Sequence, residues 1–158
     1  MKISDSGIKM IEIFEVFIAT PYQDIDGNVT IGYGHKLHPG ELYSSISEED
    51  AQGLLGQDLL YAESVVNNNV LSNLNQNQFD ALVSFVFNVG QGKPGVKDGF
   101  VTLRSGNQST MLRCLNAGDF DGAANQFMNW DHADGVEVAG LFDRRKAERA
   151  RFQMPVVS

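Results

Sequence analysis

Residues 15–35 read EVFIATPYQDIDGNVTIGYGH, and the architecture turns on this stretch. Asp26-Gly27-Asn28 supplies turn chemistry between Tyr22 and the β-rich Val29-Thr30-Ile31, so residues 21–35 are expected to form a β-hairpin. This is the main strand signal in the chain. Upstream, Ile3, Ile8, Ile11 and Phe14 recur at the intervals of a short amphipathic helix following Ser6 and Gly7. Thr20 precedes Pro21 and is biased out of the helical region, so that helix must have ended by there.

Downstream, helices joined by loops dominate the reading. Ser47 before Glu48, Glu49 and Asp50 is a helix start, a capping hydroxyl ahead of carboxylates that favour the positive end of the dipole. Leu54, Leu55, Leu59, Ala62, Val65 and Val66 carry it towards Asn67, about twenty residues in all. After an Asn-rich stretch at 67–77, Phe79, Leu82, Val83, Phe85, Val86 and Phe87 are apolar nearly all round, which predicts a buried helix. Gly90–Gly99 is a loop, Ser109-Thr110 opens a segment running to Gly118, and two more helices are expected near 119–130 and 138–153. The sum is an α+β fold: one domain over 1–158, with a small lobe at about 15–47, a connecting helix at about 47–67, and a large helical lobe at about 68–158 that includes the N-terminal helix.

Bulk composition narrows the function classes. The 158 residues are 42 % apolar and 20 % charged, ordinary values for a globular chain. A formal charge of −8 argues against binding nucleic acid or an anionic membrane. No disulfide can form within the chain, because Cys114 stands alone; it is expected to be a buried core thiol. Asp5, Lys9, Glu12 and Glu15 interrupt the N-terminal apolar residues, leaving neither a signal-peptide core nor a membrane span. Arg144, Arg145, Lys146, Arg149 and Arg151 cluster near the C-terminus and read as a solvated helix face, with an anion site as the alternative.

Glu15 at a helix end, Asp24 before a turn and Thr30 after it gather three polar groups at an irregular junction. Glycosidic cleavage needs such a set: one carboxyl group to protonate the leaving oxygen, and one carboxylate to assist water or attack directly. Phe14, Val16, Phe17 and Ile18 give Glu15 the apolar neighbours that suit an acid, whereas Asp24 beside a polar turn should stay ionised. Register tests this idea. Asp24 and Thr30 are symmetric about Gly27, so a three-residue loop of Asp26, Gly27 and Asn28 would make them direct cross-strand partners, and a two-residue loop would set them on opposite faces. The odd-numbered loop is predicted. Read without a family, the three residues are first of all an ordinary helix end and turn.

Glu15, Asp24 and Thr30 at this spacing, followed by TIGYGH at 30–35, resemble the phage-type lysozymes, the endolysin family of glycoside hydrolases. The resemblance continues through QNQFDALVSFVFNVG at 76–90, DGFVTLRSGNQSTMLRCLNAGDF at 98–120, Trp130, Ala133 and Gly135, and GLFDRRKAE at 140–148. It implies a two-lobed lysozyme-like fold with the active cleft between the lobes, and hydrolysis of the β-1,4 bond from N-acetylmuramic acid to N-acetylglucosamine in peptidoglycan. Glu15 would then be the general acid, Asp24 the group assisting attack and Thr30 the hydroxyl orienting water. Inversion is common in the family, and would set the two carboxyl groups ~6.5–9.5 Å apart against ~5–5.5 Å for a retaining pair. Members usually have Gly after the catalytic Glu and often Arg two residues beyond; here the positions hold Val16 and Ile18. The lost cation leaves the C-terminal basic cluster as the source of any steering of an anionic wall.

The family architecture would pair His35 with Asp58 structurally. A metal reading of His35, His38 and Glu41 is set aside, since nothing in the sequence shows a partner orienting the would-be ligands and the family resemblance implies no metal or other cofactor. Gly32 and Gly34 suit a strand edge where substrate approaches, and Tyr33, Phe100 and Asn88 are candidates for lining sugar sites, with core packing the alternative for both rings. Expected partners are glycan strands only, acted on by a monomer without stable membrane insertion. It would be held in the host cytoplasm until another protein opens a route to the wall. The competing readings are a non-catalytic peptidoglycan-binding module and a secreted antibacterial effector with the same chemistry.

Overall fold

Asp24 closes the hairpin as well as following its first strand. The computed structural model describes residues 1–133 and 135–157. In it, β1 (Ile18–Gln23) pairs antiparallel with β2 (Val29–Gly32), which pairs with β3 (His35–Lys36). Tyr22 lies opposite Thr30 and Gln23 opposite Val29. The Asp24 N–H donates to Asn28 O at 2.9 Å and Gly27 N–H to Asp24 O at 3.0 Å, so the loop is Ile25-Asp26-Gly27. The loop is odd-numbered, but its centre is Asp26, one residue earlier than expected. Thr30 therefore faces Tyr22 directly, and Asp24 is its diagonal neighbour. Because strand side chains alternate, Tyr22, Asp24 and Thr30 still share one face.

The chain divides into two compact units, Ile8–Tyr61, and Met1–Gly7 with Ala62–Ser158. In the first, most of α1 (Asp5–Glu15) stands beside the sheet in sequence, and α2 (Glu48–Asn69) begins where Ser47 Oγ accepts the Asp50 N–H at 3.1 Å. Ala51, Leu55 and Leu59 recur at helical spacing on its buried face, and Ile11, Ile31 and Ile46 are buried in the same unit.

The second unit is built on α3 (Gln76–Val89). Its start is a reciprocal cap hidden in the Asn-rich stretch: Asn75 accepts the Gln78 N–H, and the Gln78 side chain accepts the Asn75 N–H, both at 2.9 Å. Phe79, Leu82, Val83, Phe85 and Val86 are all buried, worth roughly 1.5–3 kcal/mol each against exposure. Around Phe85 the rings of Phe127 and Trp130 stand edge-on at 5.4 Å and that of Phe100 at 6.3 Å. These rings belong to a 3-10 turn (Phe127–Trp130) and to the loop after α3; α4 (Thr110–Asn116) and α5 (Phe120–Gln126) lie between them in the chain. A two-residue ladder, β4 (His132–Ala133) with β5 (Val136–Glu137), precedes α6 (Ala139–Gln153). Cys114 is only half-buried, because it lies on the margin of α4 while Met111, Leu112 and Leu115 fill the core.

The basic C-terminal helix departs from the solvated face expected of it. Arg144, Arg145 and Glu148 are buried, Arg145 and Glu148 completely. Glu148 receives Arg145 Nη1 at 2.7 Å, Arg144 Nε at 3.1 Å and the Ser84 hydroxyl at 2.7 Å, and the Arg145 guanidinium lies 4.9 Å over the Phe85 ring. Spacings of three and four residues from Glu148 put both cations on its side of the helix. Arg151 is paired with buried Asp80 at 2.6 Å. Three of the five basic residues thus neutralise acids of their own unit, which leaves little of the cluster to attract an anionic substrate.

Candidate active site

Glu15 is the last residue of α1, and its aim depends on the residue after it. Val16 has φ +53°, and it is the one non-glycine residue with positive φ among those described. Its N–H returns to Glu12 O at 3.2 Å, the single bond of a left-handed helix terminus, a position that glycine ordinarily fills. Val16 reproduces the glycine geometry despite its β-branch. The Glu15 carboxylate then lies against Gly34, where an added Cβ would meet Oε2 at 3.1 Å. Gly34 has φ +79°, so its backbone favours glycine, and a Cβ there would crowd the Glu15 carboxylate.

Asp24 is held by its own loop. Its Oδ1 accepts the backbone N–H of Asn28 at 2.8 Å and of Asp26 at 3.0 Å, the Asn28 amide adds contacts at 3.2 and 3.3 Å, and Lys36 Nζ lies 3.6 Å away. Partial burial pushes this carboxyl up, but the Asn28 and Asp26 donors and the Lys36 charge outweigh it and leave it below the ordinary carboxylate range. Asp24 is therefore ionised at neutral pH. Thr30 is 2 % exposed, and its hydroxyl donates to Asn28 O at 3.2 Å, which leaves its lone pairs as acceptors.

Tyr22 is the residue that sequence reasoning missed. Its phenol is shifted up, first by burial, then by the negative charge of Glu15, then by that of Asp24. One side chain thus feels both carboxylates, and the register places it directly opposite Thr30. Correct centring of the loop on Asp26 would have revealed this.

Other candidates fall elsewhere. Gly32 is buried, and a Cβ there would press on Ala51 Cβ at 2.9 Å, so its smallness serves packing against α2. Tyr33 is likewise a packing residue: it is 5 % exposed, its ring lies 5.7 Å from Phe17, and its hydroxyl donates to Glu48 at 2.8 Å. Burial, with that bond, pushes its phenol up to about 12. Phe100 is wholly buried against Phe85, which removes it from the surface a sugar could touch. Asn88 is exposed at the end of α3 in the second unit, where its side-chain oxygen accepts from Arg145. His35 Nδ1 lies 2.8 Å from Asp58 and Nε2 lies 3.1 Å from Glu41. Burial opposes a charge on this imidazole, yet Asp58 and then Glu41 overcome it and hold the pKa above 6.5.

The family model described as phage lysozyme matches residues 12–148. An endolysin of Acyrthosiphon pisum secondary endosymbiont phage 1 is 35 % identical over 97 % of this chain and 99 % of its own length, and that of Salmonella phage P22 is 36 % identical over 96 % and 98 %. An endolysin of Bacillus phage B103 is 40 % identical over 96 % of this chain, which spans 54 % of that longer protein. Among solved structures, the muramidase domain of SpmX from Asticaccaulis excentricus superposes with TM-score 0.80 at 37 % identity, covering 98 % of this chain and 99 % of the domain. A point mutant of P22 lysozyme gives TM-score 0.80 at 34 % identity, with coverage of 98 % and 99 %. The fold is lysozyme-like, and the chain belongs to the phage lysozyme family.

Proposed function

We propose that this chain is a peptidoglycan hydrolase of the muramidase type, cleaving the β-1,4 bond from N-acetylmuramic acid to N-acetylglucosamine. The observation that carries the reading is geometric: Asp24 and Thr30 share one face of the hairpin, and the Glu15 carboxylate lies against Gly34, between β2 and β3 of the same unit. In this mechanism Glu15 delivers a proton to the glycosidic oxygen as the bond to the anomeric carbon breaks. A water attacks that carbon from the opposite face, and its proton passes to Asp24, already ionised by its loop. The Thr30 hydroxyl, committed as a donor to Asn28, accepts from that water and orients it. The outcome is inversion at the anomeric carbon. Gly34 contributes by leaving room for the Glu15 carboxylate.

The wider reading is an endolysin acting as a monomer on the cell wall of its host. No helix among the described residues is long and apolar enough to cross a membrane. Purified protein should clear a suspension of outer-membrane-permeabilised bacteria, and Glu15→Gln, which keeps size and removes the titratable proton, should abolish clearing. Equal clearing by both proteins would end the mechanism.

A further inference from the structure

Residues 35–41, HKLHPGE, contain three metal-capable side chains that the proposed hydrolysis does not use. His38-Pro39-Gly40-Glu41 is a type II turn: the Glu41 N–H donates to His38 O at 3.0 Å, Pro39 occupies the second position and Gly40 has φ +93°. The turn folds Glu41 back towards β3. Its Oε2 accepts the His38 backbone N–H at 2.7 Å and lies 3.1 Å from His35 Nε2. The His35 and His38 rings meet edge-on at 5.6 Å. One donor atom each from His35, His38 and Glu41 lies within 4.8 Å of the other two.

Two donors bound to a tetrahedral Zn²⁺ at ~2.0–2.1 Å stand roughly 3.3 Å apart, so the His35–Glu41 separation already suits a shared ion. His38 is exposed and can rotate to close the remaining gap. The partner behind His35 is the second requirement of such a site. Asp58, 2.8 Å from Nδ1, fixes the ring so that Nε2 is the atom presented to Glu41, the carboxylate–histidine arrangement typical behind metal-bound imidazole. Direct ion pairs join His35 to Asp58 and to Glu41, while the His38 ring meets that of His35 edge-on.

We propose that His35, His38 and Glu41 form a three-ligand site for a divalent transition metal of the Zn²⁺ class, with Asp58 orienting His35 and a water as fourth ligand. Two imidazoles and one carboxylate suit this class and not Ca²⁺ or Mg²⁺, which demand more oxygen donors. Occupancy would clip the turn after β3 to the sheet.

The test uses the full chain, freed of metal with a chelator and desalted, then titrated with ZnCl2 by calorimetry and followed by thermal unfolding. One Zn²⁺ should bind per chain and raise the melting temperature, and Co²⁺ should give the visible absorption of a tetrahedral site. His38→Ala should weaken Zn²⁺ at least ~10-fold while leaving the metal-free melting temperature nearly unchanged, because the side chain is exposed. Asp58→Asn should weaken it about 10–100-fold through loss of ring orientation. Absence of binding by the wild-type chain overturns the proposal. So does undiminished binding by His38→Ala, which would place the ion elsewhere, as beside His132 and Asp131.

Discussion

Replacing Val16 by glycine should stabilise the protein, although such a change normally loses both a side chain and backbone order. At φ +53° an L-residue is disfavoured by roughly 1–2 kcal/mol, with β-branched residues at the upper end. Glycine escapes that penalty but gains about 0.5–1 kcal/mol of chain entropy in the unfolded state. The Val16 side chain is 61 % exposed, so its removal forfeits little apolar burial. The balance is a gain of about 0.5–1 kcal/mol. With an unfolding entropy of roughly 2.1 cal/mol/K per residue over 158 residues, about 0.33 kcal/mol/K in all, the melting temperature should rise by about 2–3 °C. Val16→Ala separates the two effects, since alanine keeps most of the left-handed penalty without the flexibility of glycine; it should lie within about 0.5 kcal/mol of wild type. Calorimetry and urea unfolding of the three proteins provide the comparison. A glycine variant no more stable than the alanine variant would refute the claim that this helix terminus is strained.

Other perturbations probe different parts of the structure. Glu148→Ala leaves two buried guanidinium groups without their shared acid, and urea unfolding should show a loss of about 3–5 kcal/mol. Gly34→Ala places a Cβ 3.1 Å from Glu15 Oε2 at φ +79°; it should cost about 1–2 kcal/mol in thermal unfolding, and lower kcat more than it raises KM. Asp24 has a folded pKa below its ordinary 3.8, so its stabilisation of the hairpin is complete above about pH 3.8 and is lost as the pH falls through the folded value. The stability difference between wild type and Asp24→Asn should therefore shrink on acidification below pH 3.8. A difference that grew instead would give Asp24 the opposite linkage.

Helix placement is legible in the sequence because apolar spacing and capping residues act locally. Ser47 and the acidic turn after it announce α2, and the all-round apolar run from Phe79 announces α3. The hairpin is legible in kind, but its centre is not. Asn28 looks like a turn residue, yet Asp24 reaches around the loop to take the N–H groups of both Asp26 and Asn28, which moves the centre to Asp26. Paired strands of two residues, such as β4 and β5, are too short to carry a period. The burial of Arg144 and Arg145 escapes a reading in which charge means solvent; Glu148, four and three residues on, is the available clue. Tyr33 and Phe100 have apolar bodies that suit a sugar subsite and a core equally, so only burial separates the two. Val16 shows the limit of composition most clearly, for its oddity lies in a dihedral angle and not in its chemistry.

The proposed hydrolysis requires Glu15 to protonate, and Asp24 to assist attack at, one bond of the glycan strand. Mass analysis of muropeptides released from purified peptidoglycan tests it most directly. The wild-type chain should release products with reducing N-acetylmuramic acid ends, and folded Glu15→Gln none above background. Anhydro-muramic ends, reducing ends on N-acetylglucosamine, or the same products from the variant would contradict it.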